Sequence, residues 1–451
     1  MKDHIIKNAS LINEGKMYTA DVLIRRGRIE RIDKTFDVAY KVHEIKADGL
    51  YLMPGIIDDQ VHFREPGLTH KADIHSEARA AVAGGTTSFM EMPNTSPPTL
   101  TKDLLEAKYE IGKNTSLANY SFFMGVSNDN FDEVIKVDRE QSRREIRDVC
   151  GIKIFMGSST GSMLVDNPSV LEQIFAEAKL LIATHCEDEA TIKENSERYK
   201  EEYGDKMDAS FHPLIRNEEA CYKSSSFAAS LAKKYNTRLH ILHISTAIET
   251  DLFDNTKPLR EKRITAEACV HHLWFDASDY ARLGNKIKCN PAIKEKKNKE
   301  AVLKALLDDR IDIIATDHAP HTAEEKSKPY LSAPAGLPLV QHSLNVMLEL
   351  HHQGKISLEK IIEKMCHAPA DCFRVRERGY LREGYHADMV LFDTTSRWKV
   401  APANILYKCG WSPFEQYEFT GKVHKTIVNG HIAYDNGNFD ESIKGQRLEF
   451  K

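Results

Sequence analysis

No run of about 18 apolar residues occurs in the 451-residue chain, so no segment has the length of a membrane-spanning helix. Basic residues are not in excess: 62 Lys and Arg stand against 67 Asp and Glu, a net charge of −5. Without a polybasic stretch, neither nucleic acid nor an anionic membrane is an expected partner. Disulfide signals are missing too. The eight cysteines are scattered, none lies in a C-x-x-C pair, and their spread does not suit a disulfide framework. Most are expected to be buried thiols in a reducing compartment. The opening MKDHIIKNASLINEG has neither an apolar core nor a small-residue cleavage site, so a cytoplasmic location is expected. No repeat or low-complexity segment stands out. What remains is an ordinary globular composition, 41% hydrophobic and 29% charged, long enough for one large domain and a smaller one.

Both ends read as β-structure. Residues 22–32 (VLIRRGRIERI) alternate and turn at Gly27, as a hairpin does. ADMVLFD and KTIVNGHIAYDNGNF, at 387–393 and 425–439, read as strands with Asn-Gly turn signals at 429–430 and 436–437. The middle carries eight apolar runs: YLMPGIIDDQVHF, TTSFMEMPN, YSFFMGV, GIKIFMG, LLIATHCE, RLHILHIS, RITAEACVHH and DIIATDHAP. Amphipathic stretches of helical spacing, such as SVLEQIFAEAK, separate most of them. Strands with few charges until their last residues are buried on both faces, and eight βα units close a parallel barrel. The expected fold is α/β: a (β/α)8 TIM-type barrel at 54–375 with a small β-sandwich domain formed by residues 1–53 and 376–451. Residues 190–225 are expected to add a helical insertion, and 322–337 a mobile loop at the active site.

Reactive side chains collect at the C-terminal ends of seven of the eight runs: His62, Asn94, Lys153, His185, His243, the His271–His272 pair and Asp317. Barrel enzymes build their sites at that face. A lone histidine on an apolar strand is usually a satisfied core residue, and His185 or His243 alone would be read so. With Asp317 they form a ligand set typical of zinc. His240 alternates away from His243 and reads as structural. Lys153 is the oddity. It sits mid-strand and points inward if Ile152 and Ile154 face the helices, where a bare ammonium carries a large desolvation penalty. It could be a neutral amine, a carbamate formed with carbon dioxide, or half of an ion pair. The carbamate is favoured because three histidines and Asp317 are expected to converge there.

LMPGIIDDQVHFREPG, EMPNTSPPT, GIKIF, THCED, LHIST, TAEACVHHL, KCNPAIK and ATDHAPH, in that order, resemble the blocks of the dihydroorotases within the amidohydrolase superfamily. The resemblance covers nearly the whole chain and includes the composite small domain. It implies one or two Zn2+ ions, with His62 and Asp317 holding one, His185 and His243 the other, and carboxylated Lys153 bridging them. It also implies that Arg64 and Asn94, helped by His321, bind the substrate α-carboxylate. Asn290 would contact the pyrimidine ring, and the backbone at Ala335 and Gly336 would close over it. Asp317 would be the catalytic proton carrier. The implied reaction is the reversible cyclisation of N-carbamoyl-L-aspartate to L-dihydroorotate in pyrimidine biosynthesis, and a homodimer is an ordinary expectation. One departure matters. Family members usually carry His-x-His on the first strand, and this chain has Gln60 in the first place. A carboxamide is a poor zinc ligand, so two zincs with a weak ligand, a single zinc, or a non-catalytic scaffold remain open. So does a hydantoinase or allantoinase activity. A second departure is Lys294, where arginine is common, and little is expected of it.

Overall fold

In a computed structural model describing residues 2–157 and 163–451, each of the eight apolar runs supplies a barrel strand. The strands are Ile56–Val61, Thr86–Glu91, Asn119–Phe122 (continued by Met124–Gly125), Ile152–Phe155, Ile182–His185, Leu239–Ile241, Ile264–Cys269 and Ile313–Ala315. Neighbours pair in parallel. The ring closes where Val61 pairs with His318, the His62 N–H donating to the His318 carbonyl at 2.7 Å.

Alternation divides each strand between two environments. Ile152 and Ile154 pack outward with helix residues such as Ile174 and Phe175, which leaves Lys153 facing the barrel interior. Inside, Ile57, Phe123, Ala183, Leu242 and Ile313 pack against Phe373 and Phe450. Phe373 ends the helix Ala368–Phe373, and Phe450 belongs to the C-terminal tail, which pairs with Arg147 and Val375. These two segments floor the barrel at the N-terminal ends of its strands. Residues 190–225 are largely helical, within Glu189–Tyr203, His212–Ile215 and Glu218–Tyr235.

The chain ends build one mixed nine-stranded sheet. The join between them is antiparallel, Tyr51–Pro54 against Met389–Lys399. Its tight turns at Arg26–Gly27, Asn429–Gly430 and Asn436–Gly437 all have positive φ at both residues, as two-residue hairpins require. All eight cysteines are free thiols, and only Cys409 is not fully buried. Among the described residues, no helix is long and apolar enough to cross a membrane.

One buried ion pair fixes the second strand under the site. Lys108, on the helix Lys102–Thr115, places Nζ 2.6 Å from Glu91 Oε2, and Glu91 Oε1 accepts from the Phe63 N–H at 3.0 Å. Both side chains are wholly buried, and burial pushes the carboxyl up and the ammonium down. Lys108→Met should cost about 3–5 kcal/mol, because it strands a buried carboxylate. Urea unfolding measures this, and an unchanged midpoint would show that the pair is dispensable.

Candidate active site

The C-terminal mouth holds a small cavity lined by Gln60, His62, Arg64, Asn94, Lys153, Phe155, His185, His243, Asn290, Asp317, Ala319, Ala335 and Gly336. Most of the residues picked out by sequence meet there, with His321 one layer behind, but the His271–His272 pair expected at the seventh strand end does not line the cavity. Three of them hold left-handed backbone: Arg64 (φ 67°), His243 (φ 40°) and Asp317 (φ 48°). Such strain in non-glycine residues clusters at functional sites.

On the first-strand side, His62 Nδ1 lies 2.7 Å from Asn94 Oδ1, so the ring proton sits on Nδ1. That leaves the Nε2 lone pair facing Asp317 Oδ1 at 3.1 Å. Burial and nearby Arg64 hold the imidazole well below its ordinary pKa, so a second ring proton does not bridge the two. A lone pair against a carboxylate oxygen in a dry site is a place for a cation. Gln60 turns its amide to the same oxygen, Nε2 donating to Asp317 Oδ1 at 3.1 Å. It acts as a donor to the carboxylate. Burial pushes the Asp317 carboxyl up to about 6.

On the opposite side, His185 Nδ1 and His243 Nε2 face each other at 2.9 Å. Both rings are buried and held below their ordinary pKa by desolvation. Lys153 Nζ has no hydrogen-bond partner among the described residues, and its ammonium is pushed down to about 7 by burial. It rests 4.5 Å from the centre of the Phe155 ring. Two unprotonated imidazoles and a buried amine with a lowered pKa suit a metal centre, and the amine suits carbamate formation.

Arg64 is 2% exposed, and its guanidinium is pushed down to about 10 by burial. Nε donates to the Pro320 carbonyl at 3.1 Å, and Nη2 lies 3.1 Å from His321 Nε2. No carboxylate lies within ion-pair distance of it among the described residues. His321 therefore stands behind Arg64, with Lys71 Nζ donating to its Nδ1 at 3.1 Å and its Nε2 3.0 Å from the Ala335 carbonyl. Gly336 has φ 138°, and a Cβ there would meet the Ala319 carbonyl oxygen at 2.4 Å. Only glycine lets the loop approach so closely.

The 322–337 loop is tied down more firmly than its composition suggests. Lys326 Nζ donates to the carbonyls of Lys288, Pro334 and Gly336 at 2.9–3.1 Å. Lys288 Nζ donates to those of Tyr330 and Ala333. Two buried ammonium groups thus collect the loop's carbonyls. Asn290 Oδ1 lies 3.0 Å from His212 Nε2, which brings the helical insertion to the cavity wall.

Several supporting residues carry no signal of their own in sequence. Glu187 Oε2 lies 3.1 Å from His185 Nε2 and pairs with Arg216 of the insertion. A carboxylate behind a histidine fixes which nitrogen carries the proton. THCED could have pointed to it, since Glu187 lies two residues after His185 on the same face. His240 lies inside the barrel below the site, between Asp59 Oδ2 at 3.2 Å and Glu267 Oε2 at 3.3 Å. Alternation predicts a ring turned away from the site, yet it lies beneath it, and its partner Glu267 accepts from the strained His243 N–H with Oε1 at 3.0 Å.

Residues 51–433 match the amidohydrolase family pattern. A dihydroorotase from Methanothermobacter thermautotrophicus is 31% identical over 94% of this chain and 90% of its own. Another, from Carboxydothermus hydrogenoformans, is 32% identical over 95% of this chain and 97% of its own. The solved structure of an L-hydantoinase (dihydropyrimidinase) from Arthrobacter aurescens aligns with a TM-score of 0.92 at 25% identity, covering 99% of this chain and 100% of that one. With a family match spanning most of its length and a barrel whose polar strand ends converge, the chain belongs to the amidohydrolase family.

Proposed function

We propose that the chain is a dihydroorotase, which interconverts L-dihydroorotate and N-carbamoyl-L-aspartate. The observation that carries this is Arg64: a buried guanidinium on the cavity wall that makes no direct ion pair among the described residues, beside the metal-donor set. A buried cation without a direct ion-pair partner is costly, and a substrate carboxylate answers it with charge-assisted hydrogen bonds. Hydantoin and allantoin lack a carboxylate so placed. The dihydroorotase names of the relatives support the same choice.

The donors fit zinc: His62 with Asp317, and His185 with His243, would hold it, and Lys153 as a carbamate would add a carboxylate ligand. Bound zinc would polarise the ring carbonyl and acidify water. The chain's residues do the rest. Arg64 and Asn94 take the α-carboxylate, which fixes the ring against Asn290 and the backbone at Ala335 and Gly336. Asp317 takes a proton from the attacking water and gives it to the ring nitrogen as the C–N bond breaks. Its carboxyl, raised to about 6, can both accept and return a proton near neutrality. Gln60 donates to Oδ1 and so helps fix its orientation. Ring closure reverses each step and releases the water.

Turnover of dihydroorotate, hydantoin and allantoin by the zinc-loaded chain is the test. Hydrolysis of the first alone is expected, and a preference for hydantoin would overturn the reading. Arg64→Met should lower kcat/KM for dihydroorotate by about a hundredfold or more, as loss of a buried charged contact does. Unchanged kcat/KM would remove Arg64 from substrate binding. Gln60, turned to Asp317 as a donor, is the one feature that favours a non-catalytic scaffold. That reading requires a chain that takes up no metal and turns over none of the three compounds.

A further inference from the structure

Cys269, His271 and His272 are not used by this chemistry. They lie where the seventh barrel strand, Ile264–Cys269, turns into the short helix Val270–Trp274. All three are buried. The Cys269 sulfur and one ring nitrogen from each histidine lie within 4.8 Å of one another. Hydrogen bonding does not account for such packing. Neither ring nitrogen of His271 makes a well-formed hydrogen bond among the described residues, with the Thr316 backbone close to the ring, and Nδ1 of His272 has no partner there. His272 Nε2 donates to the Pro291 carbonyl at 3.1 Å. That bond holds the ring proton on Nε2 and leaves Nδ1 as a lone pair, the arrangement seen behind metal-binding histidines. Buried polar nitrogens without partners call for an explanation, and an unplaced ion is one.

We propose that Cys269, His271 and His272 form a separate site for a thiophilic, zinc-class cation at the edge of the cavity. One thiolate and two imidazoles are a donor set that Zn2+ takes readily. On binding, the Cys269 thiol gives its proton to solvent, and the sulfur's electron pair goes to the cation. The site adjoins the weak point of the first strand. Cys269 Sγ lies 3.6 Å from Gln60 Oε1, and the Asp317 carboxylate acts attractively on His271. It gives the Gln60 side of the cavity a strong donor set that the carboxamide does not provide. The proposal does not depend on which substrate is turned over, because its readout is the cation itself.

Cobalt(II) is the probe, added to full-length chain stripped with a chelator. A near-ultraviolet thiolate-to-cobalt charge-transfer band is expected in the wild type. It should persist in Cys186→Ala, whose thiol is buried next to His185, and vanish in Cys269→Ser. His271→Gln should weaken the cobalt affinity read from that band by at least about tenfold. Absence of the band from the wild type, its survival in Cys269→Ser, or its loss in Cys186→Ala would overturn the proposal. If Cys269→Ser does not fold, His271→Gln decides, and unchanged affinity is the contrary result.

Discussion

Lys153→Ala should give a folded chain that hydrolyses dihydroorotate at least about a thousandfold more slowly, a loss of about 4 kcal/mol of transition-state stabilisation. Three facts set the size of the effect. The amine is buried, it has no hydrogen-bond partner among the described residues, and desolvation pushes it down to about 7. A neutral buried amine is the form that captures carbon dioxide, and on the proposed reading its carbamate would add a carboxylate to the donors of the two histidine groups. Alanine would remove that ligand and the metal affinity it would supply. Activity measured beside bound zinc per chain tests this, and near-normal turnover would exclude the carbamate.

The same substitution should leave a signature in stability, and the sign can be worked out. In metal-free chain the native Lys153 pKa is lowered to about 7, against 10.5 for the unperturbed group. Between these values the unfolded chain binds the proton and the native chain does not, so stability rises with pH across the window. Below about 7 both states are protonated, and the native state bears the cost of a buried charge. Lys153→Ala should therefore stabilise the metal-free chain on the acid side and flatten the rise. Urea midpoints from pH 6 to about 10, wild type minus variant, measure it.

Asp317→Asn should lower turnover by about 10²–10⁴-fold, the range expected for loss of a general acid–base group, while zinc stays largely bound. Asparagine keeps the shape and an oxygen donor, but it cannot carry the proton from water to the ring nitrogen. The carboxylate is fixed by Gln60, whose Nε2 donates to Oδ1 at 3.1 Å, and by a strained backbone at φ 48°. The variant should thus separate proton transfer from metal binding. Comparable losses of zinc and of turnover would instead make Asp317 chiefly a ligand.

The barrel and the cavity residues were legible for one physical reason. Strands buried on both faces are apolar, so His62, Lys153, His185, His243 and Asp317 stand out at strand ends. Alternation then put Lys153 inside, where the outward packing of Ile152 and Ile154 leaves it. Alternation served less well on the first strand. Its register shifts between Asp58 and Val61, and the simple two-residue period does not place Asp59 beside His240. The Glu187–Arg216 pair joins a strand end to a helical insertion, a contact that no local pattern encodes. The loop at 322–337 reads as mobile because it is rich in small and polar residues. Lys288 and Lys326 pin it through carbonyls that come together only in the fold. The tail ending in Phe450 is too short to show a period, yet it helps close the barrel floor.

Anomalous diffraction at the zinc edge, from crystals grown with dihydroorotate, reaches the central claim most directly. A peak held by His185, His243 and density for a carboxylated Lys153, with the ligand's carboxylate on Arg64, is the expected result. A map with no metal among those side chains, or with the ligand seated away from Arg64, would contradict it.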